Sequence, residues 1–472
     1  MPETKVKEEG DINERYDGIV ELAELCDKRY PINGMNIWRP HGWKIMQNID
    51  SLIREEMNRT NHQEVCFPLL IPESLFQKEA EHIKGFGGEV YWVTHAGENK
   101  LEERWLLRPT SETAMYSIFS LWIRSHSDLP LKTFQIVNTF RYETKQTRAF
   151  IRVREIHFFE AHTCHRDFED AERQIEEDKK IATRFFKKLC LPFIFNKRPD
   201  WDKFAGAYYT ISMDVLMPSG RTLQLGSIHQ YRDNFARPYE ITYEDENGEH
   251  KYCHQTTYGM SERVLGAIVG IHGDNRGIVL PPVIAPIQVV IIPIIFKGKE
   301  REILEMCNRI YNLLHDSDIL VHIDDREDTP GRKYYEWELK GVPVRIEVGP
   351  KEIEEKTAVL ARRDTGERKK VNQENIVEEV RKLFEEISDN LTKMAENLLR
   401  KGTVRVSNLD EAKNKKGIIE IPWCRKEDCA MEMETILDMK TLGEPIDEEP
   451  CEGVCPVCGE KAKTWVRLAK TY

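Results

Sequence analysis

The chain has 472 residues, of which 40% are hydrophobic and 32% charged, and its formal net charge is −12. This length predicts two to four domains, each large enough to bury its own core. The negative balance argues against a protein that coats nucleic acid without specificity, although a local basic patch could still dock an RNA. We expect no DNA partner.

Signals for membrane insertion and secretion are absent from the sequence pattern. The longest apolar run, residues 281–296, contains four prolines and is too short to span a bilayer. The first thirty residues are rich in Glu and Asp and show no basic segment followed by an apolar one. We therefore expect a cytoplasmic protein without a signal peptide or a membrane contact.

The region up to residue 284 mixes long helical and strand-like segments. INERYDGIVELAELCD and GWKIMQNIDSLIREEMNR place apolar residues at helical spacing, whereas TFQIVNTFRYE, FIRVREIHFFE and TLQLGSIHQY are typical of strands. This order predicts an α+β first domain, residues 1–284, in which helices flank a large antiparallel sheet.

After residue 285 the pattern changes to alternating strands and helices. IQVVIIPI, KEREILEMCNRIYNLL, DILVHID and VPVRIEV predict a small α/β domain with buried strands, residues 285–388. A long helix follows, in which apolar residues recur every three or four positions. Its predicted stripe is Val380, Phe384, Ile387, Leu391, Met394 and Leu398. Residues 389–472 form a third, cysteine-bearing unit.

The two strands of the segment NTFRYETKQTRAFIRVREIHFFEAHT carry charges of both signs. Alternation places Arg141 and Glu143 on one face of the first strand. The second strand shares one face among Arg152, Arg154, Ile156, Phe158, Glu160 and His162. Such a surface suits a ligand that carries phosphates and a cation, because Arg grips phosphate oxygens and Glu accepts from an amine. The alternative is a solvated sheet face with cross-strand ion pairs.

Two further segments favour a binding site. LLRPTSETAMY places Thr110 and Glu112 two residues apart in a predicted loop, where a hydroxyl and a carboxylate can converge on one ammonium group. YGMSERVLGAIVGIHGDNRG begins with a glycine loop and continues as a helix that carries Arg263. Glycine before a helix is common and is weak evidence for a binding site by itself. The three segments together are far more specific evidence.

These segments resemble the class II aminoacyl-tRNA synthetases. Phe140–Glu143 with Ile151 and Arg152 resemble motif 2 of that class, Gly259–Arg263 resemble motif 3, and the helix and strand that reach Pro68 resemble motif 1, the dimer interface. RPTSET, VREIHFFEAHT, DKFAGA, HGDNRGIVLPP and LAKTY are similar to the prolyl-tRNA synthetases in their archaeal and eukaryotic form. The similarity extends over essentially the whole chain.

The resemblance implies a fold and an activity. The expected fold is an α+β catalytic domain on an antiparallel sheet, an α/β anticodon-binding domain and a small α/β zinc-binding C-terminal domain. The expected activity is ATP-dependent attachment of L-proline to tRNA(Pro), with Mg²⁺ at the catalytic site and a homodimer built around Pro68. About a hundred residues separate motifs 2 and 3, so we expect no editing insertion.

The resemblance also implies roles for individual residues. Arg141 and Arg263 are the expected catalytic residues. Those implied for ATP are Arg141, Glu143, Arg152, Gln224, Ser227 and Arg263. Those implied for proline are Thr110, Glu112, Arg141, Phe158, Glu160, His162, Phe204 and His229. The sequence departs from the family at Ile156, Phe158, Tyr258 and Glu262, which bears on the adenine-stacking partner and the pocket's shape.

Within WELKGVPVRIEVGPKEIE, Glu338, Arg345 and Lys351 match positions that read guanines of the proline anticodon in related enzymes. Arg and Lys suit the O6/N7 edge of guanine, and a carboxylate suits its N1/N2 edge. The alternative is that these are surface charges on a small sheet.

The cysteines of the third unit predict a metal site. Cys424 and Cys429, with Cys455 and Cys458 about 25 residues later, have the paired spacing of a four-thiolate structural zinc site. Cys451 is a possible substitute ligand. The alternatives are a redox Cys-x-x-Cys and plain reduced thiols.

Other functions stay open at this point. They are a threonyl or glycyl enzyme of the same class, a catalytically inactive synthetase-like protein that binds RNA, and a zinc-finger protein. A threonyl enzyme would need a zinc-binding cluster near the charged hairpin, which the sequence does not show. An inactive relative would be expected to have lost some of the residues Thr110, Glu112, Arg141, Arg152 and Arg263, all of which are present.

Overall fold

The computed structural model of the chain describes residues 12–78, 88–446 and 451–472. Residues 1–11 and 79–87 of the predicted first domain, and residues 447–450 of the third, lie outside the described part. The helices are Ile12–Leu22, Pro40–Arg59, Glu73–Phe76, Glu112–Trp122, Phe168–Lys188, Arg263–His272, Glu300–His315, Pro330–Leu339, Pro350–Glu355, Ile376–Gly402, Leu409–Ala412 and Glu427–Leu437. Short 3₁₀ turns cover His126–Asp128, Pro282–Ile284 and Gln373–Asn375.

The strands are numbered in chain order. They are β1 Cys26–Asp27, β2 Ile37–Trp38, β3 Gln63–Glu64, β4 Leu70–Pro72, β5 Tyr91–Ala96, β6 Asn99–Leu107, β7 Leu131–Phe140, β8 Glu155–His165, β9 Ile194–Lys197, β10 Tyr209–Leu216, β11 Arg221–Arg232, β12 Thr242–Glu244, β13 His250–Tyr252, β14 His254–Ser261, β15 Val289–Pro293, β16 Val321–Ile323, β17 Val344–Val348, β18 Thr357–Arg362, β19 Arg368–Asn372, β20 Thr403–Arg405, β21 Ile418–Trp423, β22 Lys440–Pro445 and β23 Thr464–Thr471.

A large sheet organises the first domain. Its strands lie in the order β20-β21-β23-β22-β9-β10-β11-β14-β8-β7-β3, and β9, β10, β11, β14, β8 and β7 pair antiparallel in turn. Helices Pro40–Arg59 and Phe168–Lys188 contribute buried apolar residues to the core on this sheet, among them Ile49 and Phe185. The predicted antiparallel sheet flanked by helices is thus confirmed.

The charged hairpin is shorter than predicted. β7 ends at Phe140 and β8 begins at Glu155, so Arg141 and Arg152 lie in the connection and not in strands. This connection folds back because Phe150 is 2% exposed and has a left-handed φ of 61°, which a continuous strand does not permit. The predicted strand alternation is therefore wrong for residues 141–154.

The second domain is an α/β unit, as predicted. Its sheet has the order β16-β15-β17-β18-β19, parallel at β16-β15-β17 and antiparallel beyond. The helix Ile376–Gly402 buries Val380, Ile387 and Leu391, but Met394 is 56% exposed. The predicted stripe is wrong at Met394 because the buried face rotates to Ala395, the next position at helical spacing.

The third unit extends the catalytic sheet. β22 pairs with β9, and β23 runs parallel to the start of β11. One continuous helix, Ile376–Gly402, crosses the boundary predicted at residue 388, because Leu399 near its end packs beside buried residues of β21, β22 and β23. In the described residues, none of the helices has the length and apolar character needed to cross a membrane.

Candidate active site

A cavity of about 340 Å³ opens over the centre of the large sheet, above β8, β10, β11 and β14. Most of the residues predicted for the site line it. They are Thr110, Glu112, Arg141, Glu143, Arg152, Phe158, Phe204, Gln224, Ser227, His229 and Arg263. Residues as far apart in the chain as Thr110 and Arg263 therefore meet in one concave site, which a solvated sheet face would not produce.

Strand register explains this convergence. Ser227 of β11, Gly259 of β14 and Glu160 of β8 lie side by side across three strands, and His229, Thr257 and His162 form the next row. Residues opposite each other in neighbouring strands point to the same face. Gly259 keeps the first row open, since a Cβ there would lie 3.0 Å from the ring of Phe158.

One end of the cavity collects guanidinium groups. Arg141 donates from Nε to the carbonyl oxygen of Pro109 at 3.0 Å, and Arg263 donates from Nε to that of Ile151 at 2.9 Å. Burial and the nearby charges of Arg152 and Arg141 lower the pKa of Arg263 to about 10. Like charges held this close favour an anionic ligand with several negative oxygens.

A carboxylate orders this cationic end. Arg152 donates from Nη1 to Oε2 of Glu143 at 2.7 Å. Burial opposes ionisation of Glu143, but the backbone N–H of Lys145 and the Arg152 guanidinium outweigh it and lower the pKa of the carboxyl. The pair fixes the loop between β7 and β8 at the mouth of the site.

The other end of the cavity offers a hydroxyl and a carboxylate. Thr110 donates from Oγ1 to the Glu112 carboxylate, and the hydroxyl of Tyr231 donates to Oε1 of Glu112 at 3.0 Å. The rings of Phe204 and His229 lie 4.5 Å apart and form an adjoining wall. A small cation attached to an apolar ring fits this combination of groups.

His229 is held as a neutral base in this wall. Burial, with the nearby charges of His162 and Arg141, lowers its pKa to about 3. Its two ring nitrogens lie 2.9 Å from Oγ1 of Thr210 and 2.9 Å from Oγ of Ser227. The ring therefore orders two hydroxyls at the cavity surface and adds no charge to it.

Glu160 and His162 lie behind the cavity surface and are not part of its lining. Both residues are 0% exposed, and His162 Nε2 lies 3.0 Å from Oε2 of Glu160. Ser111 donates to Oε1 of Glu160 at 2.5 Å, and Gln135 donates to the same oxygen at 2.8 Å. In the described structure these two predicted proline-binding residues support the Thr110–Glu112 loop from below.

The charge state of this buried pair follows from its contacts. Burial opposes ionisation of both groups, but the mutual hydrogen bond and attraction outweigh it, so the pKa of Glu160 is lowered and that of His162 is raised. These shifts favour the charged forms of both groups below the cavity floor.

Sequence reasoning missed several lining residues. Glu89, Arg198, Lys203, Thr257 and Glu262 also border the cavity. Lys203 lies within the DKFAGA segment and Arg198 lies four residues before it, and charged residues outside any periodic pattern were the available signal. Glu262 departs from the family pattern, and its carboxylate accepts the backbone N–H of His157 at 2.6 Å.

The four predicted cysteine ligands meet in space. The sulfur atoms of Cys424, Cys429, Cys455 and Cys458 all lie within 4.8 Å of one another, and those of Cys424 and Cys458 are 3.6 Å apart. Tetrahedral zinc with Zn–S bonds of about 2.3 Å requires sulfurs about 3.8 Å apart. The set fits that geometry, and Cys451 is not part of it.

Two of the three predicted anticodon residues lie together. Arg345 donates from Nη1 to Oε1 of Glu338 at 2.8 Å, and its guanidinium stacks on the ring of Tyr334 at 3.9 Å from the centroid. Lys351 lies in the first turn of the helix Pro350–Glu355, where it is exposed. The face offers charged and aromatic groups suited to unpaired bases.

Pro68, predicted at the dimer interface, lies on the surface. It precedes β4, and the next two residues, Leu69 and Leu70, are exposed apolar side chains. Its carbonyl oxygen accepts from Nη1 of Arg108 at 3.3 Å. An exposed apolar edge of this kind is compatible with a partner surface.

Comparison with known proteins adds independent information. Residues 91–272 match the tRNA synthetase class II core domain (G, H, P, S and T), residues 288–383 match an anticodon binding domain, and residues 407–472 match the prolyl-tRNA synthetase C-terminal domain. The third match distinguishes the chain from the threonyl and glycyl members that share the first two.

Individual relatives agree with these domain matches. The chain is 58% identical to a proline–tRNA ligase of Thermococcus kodakarensis, with 98% of each chain covered. It is 49% identical to one of Methanopyrus kandleri, with 100% of this chain and 98% of the relative covered. A Giardia lamblia prolyl-tRNA synthetase solved in complex with prolyl-adenylate superposes with a TM-score of 0.94, at 36% identity over 97% of both chains. The chain belongs to the prolyl-tRNA synthetase family.

Proposed function

We propose that the chain activates L-proline with ATP in the cavity described above and transfers the prolyl group to the 3′ end of tRNA(Pro). The convergence of three arginines at one end of the cavity with Thr110 and Glu112 at the other carries this proposal. The first set suits a triphosphate, and the second suits the amino group of a small amino acid. Threonyl and glycyl activities and an inactive RNA-binding role are less well supported.

The first step joins two anions. The proline carboxylate attacks the α-phosphorus of ATP, the bond to the β-phosphate oxygen breaks, and pyrophosphate leaves. No protein nucleophile is needed, so catalysis depends on orientation and on neutralising charge in the transition state. Arg141 would bridge the carboxylate and the α-phosphate, while Arg152 and Arg263 would hold the β- and γ-phosphates.

The remaining predicted residues would orient the two substrates. Thr110 and Glu112 would accept hydrogen bonds from the proline ammonium, with Phe158 and Phe204 against its ring. Glu143 would contact the adenine end, and Gln224 and Ser227 the ribose and phosphates. Mg²⁺ would arrive with the nucleotide, since it keeps several waters and is bound mainly through substrate phosphates and one or two carboxylates.

Substitution of Arg141 tests the proposed function. We expect Arg141→Ala to lower proline-dependent ATP–pyrophosphate exchange by at least about 10²-fold, because one well-placed donor at a developing charge contributes about 3–4 kcal/mol. Arg301→Ala, which removes a side chain that is 91% exposed in a surface ion pair, is the matched control. Exchange close to that of the parent in Arg141→Ala would contradict the assignment.

The second domain would select tRNA(Pro) through Glu338, Arg345 and Lys351. We place the catalytic domain at residues 1–284, the anticodon-binding domain at 285–388 and the zinc-binding domain at 389–472, and the last boundary falls within the helix Ile376–Gly402 that joins the two domains. No editing insertion separates the segments that carry Arg152 and Arg263. Hydrolysis of a wrongly charged tRNA would then require another protein.

The four-cysteine cluster would bind a structural Zn²⁺ ion, since four thiolates leave no open position for substrate. We expect metal analysis of the purified chain to find zinc, and Cys455→Ser to lose both the metal and part of its thermal stability. Cys451→Ser is the matched control, because Cys451 is also buried but lies outside the sulfur cluster. Retention of zinc by Cys455→Ser would contradict the proposed ligand set.

We also propose that the chain works as a homodimer in the cytoplasm. The exposed apolar residues that follow Pro68 support a subunit contact at this edge. Sedimentation of the parent chain and of Leu70→Asp distinguishes a dimer through this edge from a monomer.

A further inference from the structure

The end of the helix Pro330–Leu339 that carries Glu338 rests on the catalytic core. The core segment that contacts it, Asp274–Ile278, follows the helix Arg263–His272 directly. Ile278 donates its backbone N–H to the carbonyl oxygen of Leu339 at 3.3 Å. On the other side of the helix end, His41 Nε2 lies 3.0 Å from the carbonyl oxygen of Lys340.

The packing at this junction leaves no space for a side chain at two glycine positions. A Cβ at Gly277 would lie 2.4 Å from the carbonyl oxygen of Leu339, and Gly277 has a φ of +135° that other residues rarely adopt. A Cβ at Gly341 would lie 2.7 Å from the carbonyl oxygen of Ile278. The two backbones therefore touch directly, and the position of the helix end depends on the core.

A partly buried ion pair crosses the same junction, and its Asp274 side chain is 32% exposed. Arg363 of the second domain donates from Nη1 and Nη2 to the two carboxylate oxygens of Asp274, at 2.8 and 2.7 Å. The Arg363 side chain is 1% exposed. Burial opposes ionisation of Asp274, but the Arg363 guanidinium outweighs it and lowers the pKa of the carboxyl. Bidentate pairs of this kind fix orientation as well as distance.

Arg363 also contacts Glu338 and so connects it to Asp274. Its Nε donates to the backbone carbonyl oxygen of Glu338 at 2.6 Å, and Glu338 in turn accepts from Arg345. Arg276 of the core adds a second contact, from Nη2 to the carbonyl oxygen of Arg363 at 3.0 Å. Its Nη1 lies 4.0 Å from Oε2 of Glu338.

We infer that Asp274 and Arg363 are positioning residues for anticodon recognition: the catalytic core, through this pair, sets the place of Glu338 and its partner Arg345. The inference rests on the proposed anticodon role of Glu338 and Arg345. It assigns a function in tRNA selection to a carboxylate of the catalytic domain that lies outside the lining of the cavity.

The test compares aminoacylation of tRNA(Pro) with that of a transcript in which one anticodon guanine is replaced by adenine. The ratio of kcat/KM values for the two transcripts measures selectivity. A correctly placed Arg pair to a base is worth about 5- to 150-fold in discrimination, so we expect Asp274→Asn to lower the ratio by about fivefold or more. Proline-dependent pyrophosphate exchange, which needs no tRNA, should stay within about twofold of the parent, because it does not depend on base readout.

Asp364→Asn is the matched control. Asp364 accepts from Nε and Nη2 of Arg362 at 3.1 and 2.8 Å and is itself 0% exposed, but this pair lies wholly within the second domain. Its selectivity ratio should equal that of the parent. Arg276→Gln is a second variant on the more exposed side of the junction, and it should lower the ratio in the same direction if Asp274→Asn does not fold.

The outcomes separate this inference from the proposed function. An unchanged ratio in Asp274→Asn and Arg276→Gln, or an equal fall in Asp364→Asn, would overturn the positioning role while Arg345→Ala still lowered selectivity. If Arg345→Ala also left the ratio at the parental value, the proposed anticodon role of Glu338 and Arg345 would fail, and the inference with it.

Discussion

The cavity and the proposed anticodon face, which is the surface around Glu338 and Arg345, hold their arginines in opposite charge environments. In the cavity, Arg263 lies close enough to Arg152 and Arg141 for their charges, together with burial, to lower its pKa. On the anticodon face, Arg345 lies between the carboxylates of Glu338 and Glu347, at 2.8 and 3.1 Å. One site concentrates like charge, and the other balances opposite charges.

The proposed ligands would account for this difference in charge environment. A triphosphate is a polyanion, so a cluster of guanidiniums gains attraction only when the nucleotide arrives and costs stability before that. A base is uncharged. An arginine already paired with a carboxylate can therefore exchange one hydrogen bond for a bond to the base, and no charge is left unpaired in a low dielectric. The charge balance in the described structure therefore agrees with the ligand proposed for each arginine.

The largest expected effect is in the cavity. Arg263→Met should lower pyrophosphate exchange by about 10²- to 10³-fold, the effect of removing one preorganised donor. The free energy of unfolding should not fall, because the substitution also removes repulsion from Arg141 and Arg152. Exchange kinetics and denaturant unfolding on the same preparation check both statements. A stability loss equal to the activity loss would show that Arg263 is a structural residue.

A smaller effect, on stability, is expected from Glu262, which precedes Arg263 in the chain. Burial raises the pKa of Glu262 from its ordinary 4.5 to about 7, so the folded chain holds a proton that the unfolded chain releases. The stability that this proton provides is fully present below about pH 4.5 and is lost as the pH rises through 7. Glu262→Gln should remove this pH dependence of stability. The free energy of unfolding of the variant should exceed that of the parent by an amount that grows with pH, to at most about 3 kcal/mol by pH 8.

Urea unfolding of Glu262→Gln and the parent between pH 5 and 8 measures this difference. Parallel stability curves for the two proteins would contradict the raised pKa. Pyrophosphate exchange by Glu262→Gln need not fall, because Gln can still accept a hydrogen bond from the backbone N–H of His157.

The smallest effect is expected on the anticodon face. Arg345→Met should cost about 1–3 kcal/mol of stability, because it leaves the carboxylates of Glu338 and Glu347 short of a partner. Pyrophosphate exchange should be unchanged, while aminoacylation falls. Arg301→Met, in an exposed ion pair, should cost less than about 1 kcal/mol. If Arg345→Met were more stable than the parent, the contrast between the two regions would fail.

The sequence predicts a site best where its residues lie close together in the chain. Cys424 with Cys429 and Cys455 with Cys458 are each close in the chain, so their spacing indicates a shared site before any fold is known. Strand alternation in β8 likewise places Phe158, Glu160 and His162 on one face correctly. It does not reveal that the Ser111 and Gln135 side chains cover Glu160, because burial depends on residues elsewhere in the chain.

The features that the sequence did not predict also depend on contacts between residues that are distant in the chain. Alternation over residues 141–154 predicts a strand, but the buried Phe150 turns the chain through a left-handed conformation. Arg198 and Lys203 come to the cavity from a loop without periodicity. The Asp274–Arg363 pair joins residues 89 positions apart, a distance that no spacing rule covers.

The continuation of the catalytic sheet into the third unit has a consequence for biosynthesis. β9 pairs through Lys197 with Glu444 of β22, and residues of that strand emerge from the ribosome roughly 250 residues later, about 12 to 50 s at usual rates. Until then one edge of the nascent catalytic sheet has open backbone groups, a template for pairing with other chains. Chaperone protection of the half-made sheet is therefore expected to matter most while the anticodon-binding domain is being translated.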